Sequence, residues 1–305
     1  MATNQPGRGR EQRAFATVAE KVESVAQGIE ADLKVLFLNF SRVDDGDLSS
    51  PGIVFIGADH VWRELTTEGK RLQGKVLGDY KKLCDLLRVL LTQRPSQELV
   101  EFNEARERVV EAIEQTNLTW YRTTDEAHQE TAELIRKQRA FVVGLHSDSE
   151  DVVLIPDTNA LILGSALEAW SFEGIPCFEL CLVPTVLDEL DKLKINGNEK
   201  ARSKAKKVIA QVKEFRRRGP LTHGITVVAG KVTMRAIAIE PNVSLSLPWL
   251  NAGNADDRIL ASVVEVMRRN SRACVILVTH DINLQNKAEF ALLPFIEPPR
   301  AEEVP

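Results

Sequence analysis

The chain has 305 residues, 44% of them hydrophobic and 27% charged, with a formal net charge of −5. This is ordinary globular composition, which excludes collagen-like, fibrous and wholly disordered architectures, and the length allows about two domains. No run of about 18 uncharged apolar residues is present to span a membrane, and the opening MATNQPGRGREQR lacks an apolar signal core, so a cytoplasmic protein is expected. Cys84, Cys177, Cys181 and Cys274 are too few and too scattered for a disulfide framework and read as reduced thiols. The acidic balance argues against a uniformly basic nucleic-acid binder but leaves room for a local basic patch.

Residues 1–10 read as a disordered tail. From 11 to 40 the apolar residues Phe15, Val18, Val22, Val25, Ile29, Leu33, Leu36 and Phe40 recur every three or four positions, a helical stripe. Residues 44–52 form a carboxylate-rich turn without the alternating oxygen ligands of a calcium loop. Helical spacing returns over 59–93, 95–117 and 125–143, and 53–56 is the sole strand candidate. Residues 11–147 are therefore expected to form an all-α helical domain. The first 150 residues carry 20 basic against 25 acidic side chains. An acidic helical domain is a poor RNA clamp; docking of an inhibitor protein, homo-oligomerisation or occlusion of a site suits it better.

From 151 the grammar changes. Short apolar runs at 152–155, 178–183, 225–228, 273–279 and 292–296 alternate with helical segments at 160–170, from 185, at 199–218 and at 256–269. Strands alternating with helices predict a parallel sheet covered on both faces. The stretch 231–251 breaks the rhythm and reads as an insertion or hairpin, and 298–305 as a tail.

Ligands of an open parallel sheet gather at the carboxyl ends of its strands. There the chain places Asp157-Thr158-Asn159, then Thr185 through Glu189, then Asp256-Asp257, then Thr279-His280-Asp281. Each acid also has a plain reading as a helix-start residue. Thr185 with Asp188, and Asn254 with Asp257, have capping-box spacing. Asp188 and Asp257 are accordingly assigned to caps, and Glu189 and Asp256 to the site. Four acids at corresponding ends of one sheet repel one another unless a cation joins them. Hard oxygen donors suit Mg²⁺ or Mn²⁺ and metal-assisted phosphoryl transfer.

In this order Asp157-Thr158-Asn159, the run from Pro184 to Lys194, the run from Asn254 to Leu260 and the run from Thr279 to Leu284 resemble the PIN-domain nucleases, over about 151–297. The resemblance implies a three-layer α/β/α sandwich with a central parallel sheet and Mg²⁺- or Mn²⁺-dependent hydrolysis of RNA phosphodiester bonds. It carries catalytic and metal-binding roles onto Asp157, Glu189, Asp256 and Asp281, with Asp257 open as the ligand in place of Asp256. Thr158, Asn159 and Thr279 match supporting polar positions. The stretch 231–251 and the helical half depart from compact members of that family.

Residues 199–218 hold nine basic against two acidic side chains. Ala201, Ala205, Val208, Val212 and Phe215 form its buried stripe. Lys200, Arg202, Lys204, Lys206 and Lys207 are candidates to hold an RNA backbone without reading its sequence. Trp62, Trp120 and Tyr121 read as packing residues, and His280 as an exposed neighbour of Asp281. A haloacid-dehalogenase-type phosphatase needs an acid where Asn159 stands, and a dinucleotide fold needs a Gly-rich turn that is absent. The remaining rivals are a catalytically weak PIN-like module that binds RNA or protein, and a DNA-directed structure-specific nuclease.

Overall fold

The computed structural model describes residues 17–45, 60–91, 96–116, 118–146, 151–270 and 273–299. The chain divides into two compact units, Ala19–Ser147 and Asp148–Pro305, with the short stretch up to Val18 grouped with the second. The 1–10 tail and the 53–56 strand candidate lie outside the described residues, as does most of the 298–305 tail.

The first unit holds α1 (Val18–Val35), β1 (Val43–Asp45), β2 (His60–Trp62), α2 (Thr67–Leu91), α3 (Ser96–Glu114), β3 (Leu118–Thr119) and α4 (Thr124–His146). In α1 the residues Val22, Ala26, Ile29 and Leu33 are all buried, at the spacing of one helical face. The helix runs into a single wider turn, Leu36–Phe40, whose Leu36 carbonyl accepts both the backbone N–H and the hydroxyl of Ser41. β1, β2 and β3 make a small antiparallel sheet, with Val43 opposite Trp62 and His60 opposite Thr119. This ribbon differs from the expected helix beginning at 59, because strands of two or three residues are too short for an alternating pattern to register. Trp62 is buried and packs on Phe37 with ring centroids 5.9 Å apart. Trp120, expected to pack, is instead 67% exposed.

The helices of this unit are tied by a buried polar link. The Tyr80 hydroxyl of α2 donates to Gln138 Oε1 at 2.8 Å, and Gln138 Nε2 donates to the Phe102 carbonyl of α3 at 3.1 Å. Both side chains are buried, so each bond satisfies a group that water does not reach.

The second unit holds β4 (Asp151–Pro156), α5 (Thr158–Leu163), β5 (Phe178–Leu182), α6 (Pro184–Asn196), α7 (Glu199–Arg218), β6 (Ile225–Val228), β7 (Val232–Ala236), α8 (Ala255–Arg269), β8 (Ala273–Val278), α9 (Ile282–Phe290) and β9 (Phe295–Ile296). One six-stranded sheet runs in the order β6-β7-β5-β4-β8-β9. All neighbours are parallel except β6, which pairs antiparallel with β7. The central strands are the near-continuous apolar runs expected of a sheet buried on both faces: Leu154, Ile155, Leu180, Leu182, Ile276 and Leu277 have no solvent exposure.

The stretch 231–251 is a hairpin only in part. Its first residues, Val232–Ala236, form β7, which lies beside β5 with Phe178 opposite Val232 and Leu182 opposite Ala236. The strand hides from sequence reading because Arg235 interrupts its apolar residues. That arginine pairs with Glu179 of β5, Nε to Oε1 at 2.7 Å. Cys84, Cys181 and Cys274 are buried, Cys177 is exposed, and all four are free thiols. Burial pushes the Cys84 and Cys181 thiols up to about 12, which leaves them unreactive. Among the described residues no helix is long and apolar enough to cross a membrane.

Replacing Gln138 by Ala removes both bonds, leaving the Tyr80 hydroxyl with Cys84 and the Phe102 carbonyl with its helical partner, and is expected to cost about 2 kcal/mol. Urea unfolding of the variant beside Tyr80→Phe, which removes only one of the two bonds and is expected to cost less, measures this.

Candidate active site

The strand order sets where a site forms. From β4 the chain moves to β5 on one side and later returns to β8 on the other. The sheet therefore has its switch point at β4, and the carboxyl ends of the strands there are where open sheets of this kind form their binding crevice. Pro156, the last residue of β4, lies opposite Val278, the last of β8. Asp157 N–H then donates to the Val278 carbonyl at 3.0 Å. The next residues of the two strands, Asp157 and Thr279, consequently leave the sheet side by side.

They are bonded. The Thr279 hydroxyl donates to Asp157 Oδ2, and the same hydroxyl accepts the Asp281 N–H at 3.0 Å. Thr279 has no solvent exposure and Asp157 is 3% exposed. Both acids begin helices. Asp157 is the N-cap of α5, its Oδ1 accepting the Ala160 N–H. Asp281 is the N-cap of α9, its Oδ1 accepting the N–H groups of Asn283 at 2.8 Å and Leu284 at 3.1 Å. Among the described residues Asp281 Oδ2 has no hydrogen-bond partner, so one oxygen serves the helix and the other is left unbonded.

Burial pushes the Asp157 carboxyl above the ordinary aspartate range, and the charges of Asp281 and Asp256 push it further. The Thr279 and Ala160 hydrogen bonds oppose that rise without cancelling it. Asp281 and Asp256 are thus both close enough for their charges to be felt at Asp157. Glu189, one turn into α6, accepts the Thr158 hydroxyl, which ties it to the residue after Asp157. Asn159 points to solvent.

The two acids at the start of α8 are in different situations. Asp257 is 5% exposed and fully engaged: Oδ1 pairs with Lys287 Nζ at 2.7 Å and Oδ2 accepts the Asn251 N–H at 2.9 Å. Asp256 is more open and lies 3.6 Å from the same ammonium. Burial opposes the charge of Lys287, but Asp257 and Asp256 together hold it above the ordinary lysine range. Lys287, in the middle of α9, thereby fastens α8 to α9.

The expected capping roles fall elsewhere. Asn254 caps α8 as its spacing suggested, accepting from the Asp256 and Asp257 N–H groups, but Asp257 does not reciprocate. α6 starts at Val183 with Pro184 in its first turn, so neither Thr185 nor Asp188 caps it. The Thr185 hydroxyl instead donates to Glu240, and Asp188 is exposed. His280 is exposed beside Glu297, 3.5 Å away.

The basic helix α7 spans Glu199–Arg218 as read from the sequence, and buries Ala205, Val208 and Phe215. α6 leaves the carboxyl end of β5 and α7 returns antiparallel to it. Lys213 and Arg216 consequently line a groove of about 510 Å³ with Pro184, Leu187 and Asp188 of the first turn of α6. Lys200, Arg202, Lys204, Lys206 and Lys207 lie toward the opposite end of this helical hairpin; helical rise puts Lys204 about 18 Å along the axis from Arg216. Counting charge along the sequence does not separate these two ends. The antiparallel return of α7 does.

Among the described residues no group of three or more His, Cys, Asp or Glu side chains is arranged to hold a metal ion as it stands. The donors nevertheless fit a hard divalent cation in kind. They are all carboxylate oxygens, they surround a buried acid, and their mutual repulsion is what a cation relieves.

Residues 154–295 match the family model described as the PIN domain. No curated protein matches the chain.

The ionised form of Asp157 is the costly one in the folded chain, so its contribution to stability is present while it is protonated and is lost as pH rises through its raised folded pKa. Asp157→Asn is therefore expected to raise the unfolding temperature at neutral pH in EDTA, with the difference shrinking as pH falls through the raised folded pKa and gone below the unfolded value of about 4. Mg²⁺ at a hundred times its dissociation constant is expected to stabilise the parent chain by about 2.7 kcal/mol and the variant far less. Differential scanning fluorimetry across pH and Mg²⁺ checks both.

Proposed function

Since residues 154–295 match the PIN-domain family, whose members are typically nucleases, we propose that this chain is a divalent-metal-dependent ribonuclease that hydrolyses RNA phosphodiester bonds. The observation that carries this reading is the hydroxyl bridge of Thr279 between Asp157 and the start of α9 at Asp281, with Glu189 tied alongside through Thr158. Asp157, Glu189, Asp256 and Asp281 would hold Mg²⁺ or Mn²⁺. A divalent cation bound there supplies neutralising charge for an in-line displacement at phosphorus and lowers the pKa of an attacking water.

The chain's own residues prepare that chemistry. Thr279 fixes Asp157 and the start of α9 through one hydroxyl, so Asp157 and Asp281 keep a set spacing. Thr158 orients Glu189. Lys287 and the Asn251 N–H occupy both oxygens of Asp257, which leaves Asp256 as the ligand of that pair. We assign Lys213 and Arg216, in the groove beside the start of α6, to hold the substrate backbone, with Lys200, Arg202, Lys204, Lys206 and Lys207 extending the basic track along α7. Such contacts position a strand without reading its bases. The acidic helical unit contributes none of these groups, and we assign it partner docking or self-association.

Labelled single-stranded RNA is expected to be cut with Mg²⁺ or Mn²⁺ and not with EDTA, leaving 5′-phosphate ends. Asp157→Asn and Asp281→Asn should each lower kcat about 100-fold or more, equivalent to about 2.7 kcal/mol at the transition state. Cleavage that survives EDTA and both substitutions would sink the proposal, and cleavage of DNA alone would redirect it to that substrate. Charge reversal of Lys213 and Arg216 should raise KM about tenfold with a smaller change in kcat, the signature of lost uniform binding. The same reversal at Lys204 and Lys206 should do less.

A further inference from the structure

Between the acids of α6 and those of α8 lies a second polar cluster. Thr185 is one turn before Glu189 on α6, and Arg258 is two residues after Asp256 on α8. Arg258 Nε donates to Thr185 Oγ1 at 3.3 Å and lies 3.0 Å from Glu240 Oε1. The Thr185 hydroxyl donates to that same Glu240 carboxylate. Arg258 Nη1 donates to the Ala252 carbonyl at 3.0 Å. Thr185 is 1% exposed, and the Arg258 side chain is 23% exposed. Glu240 comes from the stretch between β7 and α8, beside the 80%-exposed Ile239. One acidic side chain on an exposed stretch thus faces an arginine and a hydroxyl that flank the carboxylate crevice.

We propose that Arg258 and Thr185 form a binding subsite for a phosphodiester group of the RNA, and that Glu240 is its resident stand-in, displaced when substrate binds. The inference rests on the ribonuclease reading. Glu240 meets the guanidinium through Nε alone, and among the described residues Nη2 has no partner. A guanidinium fork pairs with phosphate through two parallel hydrogen bonds, a stronger arrangement than this single-edged contact. The Thr185 hydroxyl, now a donor to a carboxylate oxygen, donates equally well to a phosphate oxygen. Glu240 is 37% exposed, so it can swing into water without stranding a buried charge. Its negative charge also repels an approaching backbone until the arginine has a better partner.

A clamp that only held the loop and a subsite that Glu240 blocks predict opposite patterns. Binding of a short fluorescent RNA to the full chain is measured by anisotropy in EDTA, across a salt series. Glu240→Gln keeps the hydrogen-bonding shape, removes the charge, and should tighten binding about threefold. Arg258→Gln should weaken it about tenfold and lower the slope of log affinity against log salt by about one. Equal weakening by both variants, or no change in either, overturns the subsite. Metal-dependent cleavage by the parent chain, assayed alongside, would leave the ribonuclease reading standing in that case. A parent chain that binds no RNA overturns the subsite as well, and loss of cleavage by the parent then removes the reading beneath it.

Discussion

One hydroxyl joins the two halves of the proposed catalytic edge. Thr279 stands where β8 ends, donates to the acid that ends β4, and accepts from the backbone of the acid that starts α9. The register of β4 with β8 brings these groups level, and six consecutive residue pairs fix that register. A slip of one residue would carry Thr279 to the other face of the sheet. The burial of Asp157 and the approach of Asp281 follow from this.

A second layer of contacts acts at one remove. Lys287 pairs with Asp257 across α8 and α9, and Asn251 closes the other oxygen. Neither contact touches a reacting atom, but both decide which of two adjacent acids stays open to the crevice. The Glu240–Arg258–Thr185 cluster does comparable work between α6 and α8. The rim of the crevice is therefore made of charges that already have partners, while its centre is made of charges that lack enough of them. A strongly negative centre needs such a rim, because the field of several uncompensated carboxylates would otherwise spread through the helices that carry them.

Much of the second unit was legible in the sequence, because apolar runs ending in acids are unusual and their order is specific. Asp157 and Asp281 were singled out as the acids just past strand ends and Asp256 as an acid in the first turn of a helix, and the charges of Asp281 and Asp256 are felt at Asp157. The sequence was less informative where an interaction depends on a distant partner. β7 was hidden by Arg235, whose charge is answered by Glu179 on the neighbouring strand. Asp257 looked like a cap, yet the lysine that claims it lies thirty residues on. Thr185 had the spacing of a capping box, but Pro184 had already begun the helix. Short strands such as His60–Trp62 were invisible because two or three residues do not make a period.

Asp157 and Asp281 each cap a helix with one oxygen; the second oxygen of Asp157 accepts the Thr279 hydroxyl, and that of Asp281 has no hydrogen-bond partner among the described residues. Folding alone has reason to retain an oxygen acceptor at both positions, whatever happens to turnover. Asparagine supplies that acceptor and gives up the charge. A silent descendant of such a domain could thus drift away from chemistry through asparagine without unravelling, and its ancestry would stay readable in the starts of its helices.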